Sequence, residues 1–501
     1  MKILLINPNR TYYAGSKGVR VGLPLGLMYL AGNLENNGYH PKILDCLIHP
    51  KTEIKTDEIK TVHGISLEVL SQEIREYQPD IVGISNPFTA QVDNAIKVAN
   101  IVKEINPDII TVIGGPHASI AGDELLKSNQ NIDISVVGEG EYTFLEIIKT
   151  IENNTSFDKV NNVIFRDSSG EIKITTRGDY IMNLDDLPLP AYHLIDMNLY
   201  FQMQSRGYGS RPLRKQRSIS MITSRGCPFN CIFCSIHLHM GKRFRAHSAE
   251  YTIKHIAEVV TKYGVKHISF EDDNFTADIN RATEILQGTV DQNIKITWDT
   301  PNGVRADRLT EDLAKLMKKS GCIELIFGVE SGDQKVLNDI VDKNLNLDLV
   351  VKSAEICKRV GIKAKAFFVI GFPGEKIENI RKSMDFALML RKKYGVRSGF
   401  MVATPLIGTR LYDICKKNGY LISEPDSKSL AIATQARGAG LIKTADFSPE
   451  DLKELSDELN KKMDKINFTE KISSISYYIK GIKLVIKHPV RVFKKLKNIL
   501  S

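Results

Sequence analysis

The chain lacks an even set of cysteines: seven stand in its 501 residues, at 46, 227, 231, 234, 322, 357 and 415, and three of them fall within eight positions. That excludes a disulfide framework and points to a reducing cytoplasm with a thiolate-ligated metal site. Long hydrophobic runs are missing as well. The longest uncharged stretches, such as Val21 to Leu34, fall short of the about 18 apolar residues of a membrane span. The start MKILLINP is too short for a signal peptide, because Asn7-Pro8 closes its apolar run, so it reads as a first buried strand. Glycine (35) and proline (18) are too sparse for a fibrous or low-complexity chain. Surplus charge is absent from most of the molecule. Lys471, Lys480, Lys483, Lys487, Arg491, Lys494, Lys495 and Lys497, with no acid among them, supply all but one unit of the formal charge of +9. A nearly neutral body excludes a nucleic-acid-binding face spread over the domains.

What remains is an ordinary globular composition, 42% hydrophobic and 25% charged, for about two to four domains. Residues 1–152 alternate apolar runs (Lys2 to Ile6, Lys42 to Asp45, Ile81 to Ser85, Ile109 to Gly114, Ile134 to Val137) with helically spaced segments. This α/β pattern predicts a Rossmann-like domain built on a parallel sheet. Residues 153–205 read as a small hairpin and the extended linker NLDDLPLPAYHLID. A second βα series over 206–425 has candidate strands at Ile219 to Thr223, His267 to Glu271, Ile296 to Thr300, Cys322 to Val329, Ala364 to Ile370 and Gly399 to Ala403. Six βα units predict a partial (βα)6 barrel of the TIM type, with its chemistry at the carboxyl ends of the strands. A C-terminal helical region, 426–470, contains the helix start SPED, and the basic tail 471–501 follows.

The sharpest local pattern is TSRGCPFNCIFCS, which sets Cys227, Cys231 and Cys234 at CxxxCxxC spacing directly after a strand. Three thiolates on one loop match a [4Fe–4S] cluster whose fourth iron stays open to another ligand. A structural zinc site is the alternative, with His237 or His239 as the fourth ligand.

With Phe233 before the last cysteine, the motif resembles the radical S-adenosylmethionine superfamily, whose fold is the partial (βα)6 barrel. The resemblance implies that the open iron takes S-adenosylmethionine and that an electron from the cluster releases a 5'-deoxyadenosyl radical. It places Phe233 against the adenine, and Asp272, in FEDDNF with Asp273, by the methionyl amino group. Glu330 in FGVESGD resembles the family's strand-four acid; an ion pair with Arg305 or a lysine is the plainer reading. Gly371 to Glu375, GFPGE, resembles the turn that closes strand five around the cofactor.

In the first domain no GxGxxG follows the first strand, which disfavours a dinucleotide. The strand ends carry Gly26 in PLG, Ser85, Asn86 and Thr89 in SNPFTAQ, Gly114, Gly115 and His117 in GGPHAS, and Gly138, Glu139 and Gly140 in VGEGEYT. Glycines there admit a large flat ligand, and the hydroxyls and amide offer uncharged hydrogen bonds. His117 is equally a surface or capping residue. These segments, with LPLPAYHLID and GKRFRAHS, resemble the cobalamin-binding domain joined to radical S-adenosylmethionine barrels, over roughly residues 1–420. No DxHxxG supplies a lower axial histidine, so the resemblance implies base-off cobalamin. A scaffold domain without corrinoid is the alternative.

In the tail, Ile475, Ile479, Ile482 and Ile486, then Phe493, Leu496 and Leu500 after Pro489, recur at helical spacing among lysines. Two short amphipathic helices of this kind suit the face of an anionic membrane; a helix packed on the barrel or an RNA-contacting tail are the alternatives. The expected protein is therefore a cytoplasmic radical enzyme, peripheral at the inner membrane face. It would draw electrons from ferredoxin or flavodoxin, bind no nucleic acid, and methylate a carbon of a hydrophobic, membrane-associated small molecule or lipid. Ring formation on an isoprenoid or tetrapyrrole, as in anaerobic magnesium-protoporphyrin cyclase-like members, is the second expectation. A non-enzymatic corrinoid carrier is the third. Methylthiolation of tRNA would need further N-terminal cysteines, and only Cys46 precedes residue 227.

Overall fold

A computed structural model describes residues 1–13, 21–204, 217–435 and 440–473. Ten strands belong to the N-terminal part: β1 (Ile3–Asn7), β2 (Arg10–Tyr13), β3 (Lys42–Asp45), β4 (Glu53–Thr56), β5 (Lys60–Gly64), β6 (Ile81–Ser85), β7 (Ile110–Gly114), β8 (Ile134–Val136), β9 (Val163–Arg166) and β10 (Ile172–Ile174). Seven of them form one sheet in the order β10-β9-β8-β7-β6-β1-β3. From β3 to β8 the pairing is parallel. The inner strand β1, between β6 and β3, is buried along its whole length, which is why it reads ILLIN without polar alternation. Ile3 and Leu5 enter one apolar core, while Leu4 and Ile6 enter a second core on the other face.

Two features depart from the sequence expectation. The hairpin assigned to 153–205 is part of the first domain's sheet: β9 pairs antiparallel with β8, and β10 with β9. The free edge of β8 is covered by the chain that follows it. Strands β2, β5 and β4 form a separate antiparallel sheet that the periodicity did not indicate, because their residues are only partly buried and lack apolar alternation.

Eight strands follow: β11 (Ser218–Met221), β12 (Ser224–Arg225), β13 (Arg245–Ala246), β14 (His267–Phe270), β15 (Thr297–Val304), β16 (Cys322–Glu330), β17 (Lys363–Ile370) and β18 (Arg397–Val402). Six make the all-parallel curved sheet β11-β14-β15-β16-β17-β18, the predicted partial barrel, with helices such as Ala249–Tyr263, Ile279–Asp291 and Leu347–Val360 between strands. Ser248, Asp278 and Asn346 cap these helices through their side chains. The SPED start becomes a reciprocal cap: Asp451 N–H donates to Ser448 Oγ at 3.2 Å and Ser448 N–H to Asp451 Oδ2 at 2.8 Å, opening the helix Pro449–Ser473. One apolar core joins both sheets, running from Leu5 and Met28 through Ala191 and Tyr200 to Met221 and Phe270. No helix among the described residues is long and apolar enough to cross a membrane. The two tail helices expected over 471–501 lie almost wholly outside the described residues.

Candidate active site

After β11 the chain enters the cysteine loop under tight control. Asp272 is 2% exposed and its carboxylate accepts from Thr223 N–H at 2.7 Å, Thr223 Oγ1 at 3.0 Å, Ser224 Oγ at 2.8 Å and Ser224 N–H. Gly226, at φ +79°, lies so close to the Arg243 carbonyl that a Cβ has no room. Beyond it, Cys227, Cys231 and Cys234 surround a cavity of about 210 Å³ together with Phe229, Phe233, Asp273, Asn302, Arg305, Glu330 and Lys343. The loop is pinned from several sides. Arg305 stacks on Phe229 at 4.0 Å, Asn230 donates to Asp342 at 2.9 Å, and Phe233 meets Phe372 at 5.8 Å.

Both zinc-ligand candidates are drawn elsewhere. His237 Nε2 donates to the Cys227 carbonyl at 2.9 Å, and His239 lines a different cavity. Among the described residues no three His, Cys, Asp or Glu side chains converge on a point that could hold one metal ion. The three thiols line the one cavity together. Burial raises all three, Cys234 to about 12.

Across the cavity, Glu330 closes β16 with φ +69°, beside a register shift in the strand. A glutamate in the left-handed region is strained, and such strain is found where a side chain is held for a purpose. Its carboxylate meets Lys343 Nζ at 2.7 Å, so the plainer ion-pair reading is also present, with a lysine rather than Arg305. Of the two aspartates in FEDDNF, Asp272 serves the backbone and does not line the cavity, whereas Asp273 does. Burial and the neighbouring Asp272 push Asp273 up to about 7. Gly371 and Glu375 also lie outside the lining. Glu375 is fully buried and accepts from Gly371 N–H at 2.7 Å and Phe372 N–H at 3.2 Å, which fixes the turn carrying Phe372.

A second cavity, of about 350 Å³, opens at the carboxyl ends of β1, β6, β7 and β8. The parallel strands run in chain order 2-1-3-4-5, and the crevice lies where that order reverses, between β1 and β6. Gly26, Ser85, Gly114, Gly115, Gly138, Glu139 and Gly140 line it as the sequence predicts. Below the glycines an apolar slot descends between Leu5, Gly83, Val112, Val136 and Phe144. Asn86, Thr89 and His117 do not line it. Asn86 is fully buried, its side chain having no hydrogen-bond partner among the described residues, and Thr89 Oγ1 pairs with His117 Nδ1 at 2.9 Å. His117 sits in the helix Pro116–Ser128, 6% exposed, so it is neither a surface nor a loop residue.

Sequence reasoning missed the opposite wall. Ile222, Arg225, His239 and Met240, all from the cysteine side of the molecule, face the glycine loops across this cavity. Tyr29 joins them, its hydroxyl donating to the Ile222 carbonyl at 3.2 Å. At the first cavity Asn302 was missed too, Lys343 was foreseen only as an unspecified lysine, and Arg305 only as a partner of Glu330. None lies in a local motif, and only the barrel's closure brings them to Cys227.

Residues 221–387 match the model of the radical SAM superfamily, and residues 17–148 that of the B12 binding domain. Over 84% of its length the chain is 30% identical to the cytidylyl-2-hydroxyethylphosphonate methyltransferase of Streptomyces wedmorensis, of which the match covers 83%. It is 26% identical to the anaerobic magnesium-protoporphyrin IX monomethyl ester cyclase of Rubrivivax gelatinosus, over 77% of this chain and 65% of that one. Among solved structures, the cobalamin-dependent S-adenosylmethionine radical enzyme OxsB with aqua-cobalamin and S-adenosylmethionine bound shares the fold. The TM-score is 0.70 at 17% identity, covering 97% of this chain and 75% of that one.

Proposed function

From a chain that belongs to the radical S-adenosylmethionine superfamily, in the group that carries a B12 binding domain, we propose a methyltransferase acting on an unactivated carbon. The cofactors of this enzyme are a [4Fe–4S] cluster, S-adenosylmethionine and cobalamin. When bound, they supply hydrogen abstraction from carbon and a transferable methyl group.

In this reading Cys227, Cys231 and Cys234 hold three irons, and the wall of Asp273, Asn302 and Glu330 receives the ammonium and hydroxyls of S-adenosylmethionine. Phe233, backed by Phe372, offers a flat face for the adenine. Gly371 and Glu375 shape that wall from behind. The glycine rim and apolar slot of the larger cavity suit a corrinoid; a Cβ at Gly115 would meet the Asn86 carbonyl at 2.6 Å, so that position of the rim admits no side chain. Asn7 rather than a histidine ends β1, which supports a base-off corrinoid. One observation carries the reading: Arg225 lines the larger cavity, and two residues later Cys227 lines the smaller, so the two cofactor sites share a single stretch of backbone.

The hydrophobic, membrane-associated substrate rests on the basic amphipathic sequence of 471–501, and a ferredoxin or flavodoxin as one-electron donor on the reaction class. Ring closure is the second reading, favoured by the likeness to the cyclase. The test is anaerobic reconstitution with iron, sulfide, S-adenosylmethionine, cobalamin and a reductant. About four irons and four sulfides per chain, with 5'-deoxyadenosine formed, are expected. Cys231→Ala should lose all three. Zinc at the loop with no sulfide would overturn the reading. Product mass then separates one added CH2 from the loss of two hydrogens.

A further inference from the structure

At the boundary of the two cavities lie four charged side chains that pair with one another. Glu139 stands in the glycine loop after β8, and its Oε1 accepts from Arg225 and from Arg245, each at 2.8 Å. Its Oε2 accepts from Arg245 at 2.8 Å and from Ile181 N–H at 2.8 Å. Glu141, in the same loop, accepts the other Arg225 nitrogen at 2.6 Å. Arg225 and Arg245 sit on the paired strands β12 and β13, one just before the cysteines and the other just after, so the loop bearing Cys227 is bracketed by this network. All four side chains are between 1% and 7% exposed.

Burying two acids and two bases where apolar residues would pack is costly unless every charge is matched, so such a network is weak evidence for stability alone. Its placement is more telling. Glu139, Glu141 and Arg225 all line the larger cavity. Glu141 Oε2 is buried and has no hydrogen-bond partner among the described residues. It is an acceptor awaiting a donor, and the rim of a corrin carries amide N–H donors. A ligand that supplies one there takes the Glu141 oxygen that Arg225 leaves free and so fixes the carboxylate that holds Arg225, which is joined to Cys227 through Gly226 alone.

We propose that Glu139, Glu141, Arg225 and Arg245 form a positioning clamp that couples occupancy of the corrinoid cavity to the geometry of the cysteine loop. The inference rests on the reading of the two cavities given above and adds a link between them. Coupling of this kind is reciprocal: the factor by which the corrinoid tightens S-adenosylmethionine binding equals the factor by which S-adenosylmethionine tightens the corrinoid.

The experiment uses the full chain with its cluster reconstituted. Hydroxocobalamin and S-adenosylmethionine are each titrated with and without the other, and backbone hydrogen exchange is followed with and without hydroxocobalamin. The unsubstituted protein should show at least about fivefold mutual tightening. Its backbone should show slowed exchange over 223–234 on adding hydroxocobalamin. Glu141→Gln, which keeps an acceptor but removes the charge, and Arg225→Lys, which keeps the charge but cannot span two carboxylates, should each bring the tightening to unity while both ligands still bind. Should either variant fail to fold, the exchange measurement on the unsubstituted protein decides. Hydroxocobalamin bound with no tightening and no protection at 223–234 overturns the clamp and leaves the proposed function standing. No hydroxocobalamin bound at all overturns both.

Discussion

Adjacent acids after one strand have been given different work. Asp272 collects backbone and hydroxyl donors from Thr223 and Ser224, and Asp273 lines the cavity. Asp272→Asn is therefore expected to destabilise the protein by about 2 kcal/mol, the order of a charge-assisted hydrogen bond to a buried carboxylate, read from urea unfolding. Asp273→Asn should leave that transition nearly unchanged and weaken S-adenosylmethionine binding by about tenfold, or 1.4 kcal/mol, read from titration. Nothing in the letters FEDDNF separates the two, because both lie in the irregular segment after β14 and the local sequence does not say which of them faces the cavity. His117 offers a second test. Burial pushes its pKa down to about 4, below the ordinary value of 6.5. The unfolded chain then binds the proton more readily, so stability is retained above about 6.5 and lost as pH falls toward 4. Relative to His117→Asn, the unsubstituted protein should lose up to about 1.4 kcal/mol per pH unit across that window, measured from unfolding midpoints. A difference constant with pH would contradict the assignment.

Elements matter here through their ends. The parallel strands β1, β6, β7 and β8 are buried along most of their length and turn to Asn7, Ser85, Gly114 and Gly138 where they stop or just beyond, so the cavity is built from strand termini and the short loops after them. Gly83 is the exception inside a strand. It lines the slot, and a side chain there would push on Leu5 and Phe144, which line it too. Gly83→Leu is expected to abolish cobalamin retention during purification, seen as loss of the corrinoid absorbance. The protein itself should pay only the about 1–3 kcal/mol of an overpacked core. The cysteine loop is held the same way, by neighbours on other elements: Arg305 on Phe229, Asp342 on Asn230, and Glu375 fixing the turn that carries Phe372. The hairpin β9-β10 was legible as a hairpin, and what the sequence did not show was its place in the first sheet. Its alternation was visible, but a strand's partner is chosen by the nearest unpaired edge, and that edge belonged to β8.

At the scale of the whole molecule, the basic tail is the largest departure from neutrality. Deleting 471–501 should lower cosedimentation with anionic liposomes by at least about tenfold at low salt, since each basic residue near such a surface contributes about 1 kcal/mol. Equal pelleting of the full and shortened chains would remove the case for a membrane-bound substrate. The sequence by itself determined the two α/β units, the cysteine triad and the glycine-rich strand ends. Each of these is local: hydrophobic period, ligand spacing and backbone freedom are all properties of a few consecutive residues. Only the tertiary structure decided that Asp273 rather than Asp272 meets the cavity, that Lys343 pairs with Glu330, and that Arg225 and Arg245 interlock with Glu139 and Glu141. Those pairings join residues up to 106 positions apart. Their energies come from burial and from the meeting of opposite charges in a low dielectric, conditions that no stretch of chain creates alone.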